Sequence, residues 1–355
     1  MNSRIRWLRN QLTSLDLEGM IVSNPINVKY LTGLDEEGTF VITPKENIFI
    51  TDSRYTESVN RHLTLDDEIV VFNMNEMSKY DYEGIFMTNE SVGFEENYVT
   101  YAEYMKMLQR YQVELTETEG LIENQRVIKD EDEIESIKRA CKITDDAFEH
   151  IKKFIKLGMT EKEVAFEIDK YMVTHGAEST SFDTIVAFLE NASMPHAVPS
   201  DRRLRSKDMI QLDFGCKVNG YCSDFSRVIF IDEIDDKMKE VYDFVLEEQM
   251  KIADGLKDGA NIKTVIKDRE TDYKLEHETI MHSFGHGVGL EIHESPILRA
   301  RQDCIIKENT IIAIEPGVYY PNNFGIRIED TYIVKRDGCR PLTTSSKDYT
   351  VIKLS

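Results

Sequence analysis

The chain is short of positive charge. Its 43 Lys and Arg stand against 65 Asp and Glu, a formal net charge of −22 at pH 7. Nucleic-acid binding needs a basic face that neutralises phosphate, so that class is excluded, as is attraction to an anionic membrane surface. A field of this sign disfavours acidic macromolecules and says little about small substrates. Long apolar runs are missing too. No stretch approaches the ~20 apolar residues of a membrane span. The opening "MNSRIRWLRNQLTSLDLEG" has neither a long apolar run nor a small-residue cleavage site. Its Ile5, Leu8, Leu12 and Leu15 share one helical stripe, which predicts a surface helix. Cysteine is sparse: Cys141, Cys216, Cys222, Cys304 and Cys339 are scattered and odd in number. That is the pattern of reduced thiols in a cytoplasmic protein.

What is present is an ordinary soluble balance, 41% apolar and 30% charged, in 355 residues. That length suits roughly two domains, each with its own core. Residues 1–125 alternate helix and strand signals, with "GTFVIT" and "NIFIT" as a hairpin-like pair, and predict a small α/β domain. Residues 126–355 form the second. Asp130 and Glu133 make a capping-box pair ahead of a long amphipathic helix ending near Gly158, and Thr160 with Glu163 cap the next one. Strands follow at "FDTIVAF", "DMIQLDFG" and "YCSDFSRVIFI". Two more helices, 236–256 and 261–273, precede strands at "TIIAIE" and "GIRIEDTYIVK". Two helices followed by strands thus occur twice, which predicts a duplicated α/β unit whose antiparallel sheets share one core.

Asn219-Gly220 is a two-residue hairpin signal. A turn there sets Val218 opposite Tyr221, and the same register sets Ile210 against Ile229 and Leu212 against Arg227. The other face then carries Gln211, Asp213, Gly215, Asp224 and Ser226. Asp224 lies diagonal to Asp213, ~7–8 Å apart at the backbone, within reach of a common ion. Cys216 and Cys222 fall on opposite faces and are not expected to pair. Farther on, the apolar run "TIIAI" ends abruptly in Glu315. "GIRIEDTYIV" alternates, placing Arg327, Glu329 and Thr331 on one face. If "PNNF" turns the chain back, Glu329 comes near Glu315, within one residue of register.

Carboxylates usually stay on the solvated surface. These four instead interrupt apolar strands, where like charges repel unless cations neutralise them. Four carboxylates match the charge of two divalent ions. Oxygen donors favour Mn²⁺, and one imidazole extends the range to Co²⁺, Fe²⁺ or Zn²⁺. His286 in "SFGHGVGLEIHE" is the natural fifth ligand, with glycines that would let the backbone pass close to the metals. The "GHGVG" run is no dinucleotide fingerprint, because position 290 is Leu. The histidines of "HETIMH" are five apart, about 140° round a helix, and so make no zincin site.

In this order and spacing, "YLTGL", "TDSRYTE", "MPHAVPSDR", "LDFGCKVNGYCSDFSR", "FGHGVGLEIHE", "IEPGVY" and "GIRIED" resemble the pita-bread metallopeptidases, aminopeptidase P and prolidase in particular. The resemblance spans nearly the whole chain. It implies a creatinase-type α/β N-terminal domain and an α+β pita-bread catalytic domain with a pseudo-twofold repeat and a curved antiparallel sheet. It implies that Asp213, Asp224, His286, Glu315 and Glu329 bind two divalent ions, most readily Mn²⁺, with Asp224 and Glu329 bridging. It makes His196 and His293 active-site histidines, Arg327 an orienting residue and Glu315 a proton shuttle. His282 matches a further pocket histidine, or is a core histidine with a satisfied hydrogen bond.

The implied activity is hydrolysis of the bond before proline in proline-containing peptides, by a hydroxide that bridges two metals. The implied assembly is a homodimer. Departures are Ser283 and Phe284, and Ile297 where many prolidases carry an arginine that grips a dipeptide's carboxylate. Ile297 inclines the expectation to aminopeptidase P, with a dipeptide-restricted prolidase as the alternative, and Arg299 or a residue of a partner subunit is a candidate replacement for the missing arginine. A metal-free creatinase-like hydrolase and a non-catalytic peptide-binding relative both fit poorly with a complete ligand set.

Overall fold

The structure is a computed structural model describing residues 3–64, 68–86, 90–277 and 280–354, with backbone alone at 274–277. Of "HETIMH", the His277 side chain, Glu278 and Thr279 lie outside the described residues. The chain divides into two compact units, 1–126 and 127–355.

In the first unit the helix Ser3–Ser14 buries Ile5, Leu8 and Leu12. Leu15 does not join that stripe as expected. The helix stops at Ser14, and Leu15 is 52% exposed. A six-stranded sheet runs in the order 69–73, 47–51, 39–42, 19–22, 91–94, 114–117. The hairpin-like pair is the antiparallel step between Thr39–Ile42 and Asn47–Thr51. The outer pairings, with 69–73 on one side and 91–94 and 114–117 on the other, are parallel.

The second unit begins with the two capped helices. Asp130 and Glu133 close a capping box on Glu131–Phe154, and Thr160 with Glu163 do so on Glu161–Thr174. Each box satisfies backbone N–H groups that the first helical turn leaves without partners. Helices Asp236–Gly255 and Ile262–His277 repeat the pattern. The main sheet runs in the order 294–297, 285–287, 311–314, 329–335, 225–231, 209–213, 185–188, with antiparallel neighbours along that path, and 350–352 pairs parallel to 225–231. The first half of the unit supplies one side of this curled sheet and the second half the other. Ile210, Leu212 and Ile229 pack beneath the first helix pair, in a core with Phe148, Val164 and Ile168. Met209, Val228 and Phe230 face a second core with Val241, Val245 and Ile266.

Two expected strands are interrupted. "YCSDFSRVIFI" breaks at Ser223–Asp224: Tyr221–Cys222 pairs with Cys216–Val218 in a small sheet, and Phe225–Ile231 joins the main one. "GIRIEDTYIV" breaks at Ile328. Phe324–Arg327 forms a ribbon with Gly317–Tyr320, and Glu329–Lys335 enters the main sheet. Asp224 therefore sits where the chain passes from one sheet to another, and Arg327 and Glu329 flank a second such crossing. All five cysteines are free. No helix of the described residues is long and apolar enough to cross a membrane.

Candidate metal centre

The hairpin register holds as expected: Val218 pairs with Tyr221, Ile210 with Ile229, Leu212 with Arg227 and Asp213 with Ser226. The polar face of that ladder meets the other half of the sheet because Ser226 pairs with Glu329. Ile314 pairs with Asp330 and Gly317 with Arg327, so the same register carries Glu315 to Glu329. Asp213, Asp224, Glu315 and Glu329 thus converge from four strand ends. His286 arrives on Gly285–Gly287, whose partner at that position is Ala313.

The glycines beside His286 serve a different end from the one expected. A Cβ at Gly287 would stand 2.2 Å from the Ser295 carbonyl oxygen, and one at Gly289 about 2.5 Å from the Glu294 carboxylate. The space is taken by neighbouring chain, so these glycines let the 285–287 and 294–297 strands close around His286. Glu294 is held in turn by a buried ion pair with Lys129 at 3.0 Å and accepts from the Glu291 amide.

His286 Nδ1 donates to the Gly287 carbonyl at 3.0 Å. That leaves the Nε2 lone pair facing Asp224 Oδ2 at 3.4 Å and Glu315 Oε1 at 3.7 Å, the tautomer a metal ligand requires. Arg327 ties the cluster together. Its Nη2 donates to Asp213 Oδ2, its Nε to Ser226 Oγ at 3.1 Å, and its Nη1 to the Pro195 carbonyl and to Tyr319 Oη. Ser226 Oγ in turn donates to Glu329 Oε2 at 2.9 Å. One guanidinium thereby orients two carboxylates, one directly and one through a hydroxyl. Gln211 fixes the Arg327 backbone, accepting from its N–H at 2.8 Å and donating to its carbonyl at 3.1 Å.

Two buried oxygens are left over. Asp213 Oδ1 and Glu329 Oε1 have no hydrogen-bond partner among the described residues, a costly state for a carboxylate oxygen unless something positive meets it. Ligand atoms of Asp224, His286 and Glu329 all lie within 4.8 Å of one another. The electrostatics agree. Burial, then repulsion from Asp213 and Glu315, pushes Asp224 well above the ordinary carboxylate range. Burial, then Asp224, does the same to Glu329. Burial raises Glu315 to about 8, with Arg327 opposing and Asp213 adding to the rise. Burial, with His293 nearby, lowers His286 to about 4. Neutral imidazole and crowded oxygens with orphaned lone pairs form a donor set that fits hard divalent cations.

The cluster opens on a cavity of about 670 Å³ whose lining includes all five of these residues, together with His196, His282, His293 and Arg327. His196 and His293 are exposed on its wall, and the His293 and His286 rings meet edge-on with centroids 4.4 Å apart. Partial burial, then His196, lowers the pKa of His293. His282 sets Nδ1 against the Ser283 carbonyl at 2.7 Å and Nε2 against Tyr319 Oη at 2.8 Å. It is both satisfied and in the pocket, 3.7 Å from Glu315 Oε2. Burial, then Arg327, lowers it to about 4. Every expected site residue is therefore gathered at one place.

Two residues of this neighbourhood were given no role from the sequence, although Tyr319 closes the quoted "IEPGVY". Tyr319 joins His282 to Arg327, and Gly325 across the ribbon makes room for it, since a Cβ there would lie 2.5 Å from the Tyr319 ring. Glu161, fully buried, accepts from the amides of Phe188 and Ser200, from the Ser200 hydroxyl and from the Asn191 side chain. It pins both ends of the segment that carries Pro195 and His196.

A family model for metallopeptidase family M24 matches residues 135–336, and one for the creatinase/prolidase N-terminal domain matches residues 4–128. The chain is 31% identical to an Xaa-Pro dipeptidase of Pyrococcus furiosus, over 98% of this chain and 99% of that protein. Among solved structures, an Xaa-Pro dipeptidase from Bacillus anthracis superposes with a TM-score of 0.90 at 34% identity, covering 98% of this chain and 99% of that one. An X-Pro aminopeptidase from Thermotoga maritima gives 0.86 at 31%, covering 96% and 100%.

Proposed function

The chain belongs to metallopeptidase family M24, with a creatinase/prolidase N-terminal domain ahead of its catalytic unit, and from that premise we propose that it cleaves the Xaa-Pro bond as a dipeptidase of the prolidase kind. The dipeptidase reading displaces the aminopeptidase P reading, which leaned on Ile297. Proteins named Xaa-Pro dipeptidase are similar over nearly all of both chains. The aminopeptidase from Thermotoga maritima keeps the second reading in the test. The observation that carries the metal chemistry is the pair of orphaned oxygens, Asp213 Oδ1 and Glu329 Oε1, beside Asp224 and His286.

Asp213, Asp224, His286, Glu315 and Glu329 would hold two divalent ions, manganese by preference. Bound there, such ions supply an acidified water at neutral pH and polarise the carbonyl under attack. Arg327 keeps Asp213 and, through Ser226, Glu329 in the orientation that binding needs. Glu315 takes the proton from the attacking water and passes it to the proline nitrogen as the bond breaks. His196 and His293 donate to the oxygen on which negative charge develops. His282, neutral and held by Ser283 and Tyr319, shapes the wall next to Glu315. Ile292 and Ile297 give the proline ring an apolar surface. Because proline's amide carries no N–H, a site built on carboxylate-held ions and shape accepts it where backbone-gripping proteases do not.

We further place the protein in solution as a homodimer in the cytoplasm, a state that sedimentation would verify. The functional test is release of the first residue, Xaa, by purified protein with Mn²⁺. Xaa-Pro is expected to be cleaved faster than Xaa-Pro-Yaa, and Asp213→Ala to abolish both reactions. Turnover that survives Asp213→Ala would contradict the proposal, and faster cleavage of the tripeptide would restore the aminopeptidase reading.

A further inference from the structure

His293 reaches the cavity from the loop 288–293, which joins strand 285–287 to strand 294–297. Its ring meets the His286 ring edge-on and makes no hydrogen bond among the described residues. The place of that imidazole is therefore set by the backbone beneath it. That backbone is wound on one buried carboxylate, the side chain of Glu294. One Glu294 oxygen accepts from the Glu291 amide at 3.1 Å. The Gly289 amide donates to the Glu291 carbonyl, and the Gly289 carbonyl accepts from the Cys222 amide. A Cβ at Gly289 would lie 2.5 Å from the Glu294 carboxylate, so the loop has no slack over it.

The other Glu294 oxygen meets Lys129 Nζ at 3.0 Å, and both side chains are shut off from solvent. Lys129 is anchored on its own side. Its amide donates to the Asn309 carbonyl, its Nζ donates also to the Val127 carbonyl, and the next residue, Asp130, caps helix Glu131–Phe154. A buried ion pair returns little stability, because taking two charges out of water costs roughly what their attraction gives back. This pair joins residues 165 positions apart beneath a loop of the candidate site, and neither partner lines the cavity.

We propose that Lys129 and Glu294 form a positioning pair for His293. The lysine fixes the Glu294 carboxylate, the carboxylate fixes the 289–294 turn, and the turn aims the imidazole. This rests on the proposed Xaa-Pro cleavage, in which His293 donates to the oxygen that gains negative charge. Such a donor acts through where it already stands, so a displacement of about 1 Å costs on the order of 100-fold in rate.

The test measures kcat, KM, metal content and melting temperature in Lys129→Met/Glu294→Leu, Glu294→Gln, His293→Ala and the triple variant. Each is saturated with Mn²⁺ and given whichever of Xaa-Pro and Xaa-Pro-Yaa the natural protein cleaves better. The double variant leaves no buried charge stranded, so it should fold and melt near the natural protein. Its kcat should fall about 10–100-fold, with KM little changed and the metal content of the natural protein retained. Glu294→Gln keeps one acceptor oxygen and should lose less. In the His293→Ala background, removal of the pair should cost nothing further, because its effect passes through that ring. Should the double variant melt early, Glu294→Gln takes its place in the same cycle.

An unchanged kcat, a loss of metal that accounts for the fall, or an equal loss in the His293→Ala background would each overturn the assignment and leave Xaa-Pro cleavage standing. Failure of the natural protein to cleave either peptide would overturn the parent reading and this one with it.

Discussion

At the scale of single residues the site is an argument about compensation. Four carboxylates gathered out of water repel one another, and the described residues supply one permanent cation in direct contact, Arg327 on Asp213. The remaining charge has to be met by protons or by bound ions. Arg327 matters through its shape, since a planar fork can hold Asp213, Ser226, Tyr319 and the Pro195 carbonyl together. Arg327→Lys keeps the charge and loses the fork. It is expected to cost about 10–100-fold in metal affinity or in kcat/KM, the usual range for residues that orient metal ligands, measured by metal titration and steady-state kinetics. The carboxylates and His286 were legible in the sequence because each interrupts an apolar strand or sits among glycines. Tyr319 and Glu161 were not. Their partners lie across a ribbon or at the ends of a loop, so neither the motif that ends in Tyr319 nor the cap that brackets Glu161 says what these two side chains hold.

At the scale of elements, the site depends on how neighbouring strands and loops are held. Gly287→Ala would press a Cβ to 2.2 Å from the Ser295 carbonyl. The strands 285–287 and 294–297 would have to part, and His286 would move with them. The expected result is weakened metal binding, with the loss appearing in calorimetric titration before global unfolding. Glu161→Gln sets an NH₂ among donor groups that now share two carboxylate oxygens, stranding about 1–3 kcal/mol of hydrogen bonding. Because the loop it pins carries His196 and the Pro195 carbonyl, kcat should fall while metal content stays unchanged. Metal loss in that variant would place Glu161 elsewhere in the account. Periodicity and capping gave the helices, and Asn219-Gly220 gave the register of half the sheet. The breaks at Ser223–Asp224 and Ile328 escaped that reading, because an alternating pattern continues through a change of sheet without altering. Leu15 escaped for the opposite reason: its spacing fits the stripe, but the helix ends one residue before it.

At the scale of the whole molecule, ion binding and folding are linked. Without cations, burial raises Glu315 from 4.5 to about 8, and Asp224 and Glu329 rise further above their ordinary range. A folded-state pKa above the unfolded value contributes stability that is present at low pH and lost as pH rises through the folded pKa. The chelated protein should therefore lose stability between about pH 4.5 and pH 8. Bound cations need deprotonated ligands and bind the folded state alone, so their stabilisation grows over the same interval. The melting-temperature gap between Mn²⁺-loaded and chelated protein should widen from pH 5 to pH 8. A gap that narrows would contradict the linkage. The net charge of −22 reinforces this direction, because any added cation relieves self-repulsion in the compact state.

The central claim is that Asp213, Asp224, His286, Glu315 and Glu329 share divalent ions, and metal content tests it most directly. Protein saturated with Mn²⁺, freed of excess metal and measured by plasma mass spectrometry should carry two ions per chain. The folded variant Asp224→Asn should carry fewer. Absence of bound ion in the natural protein, or equal content in the variant, would contradict the account.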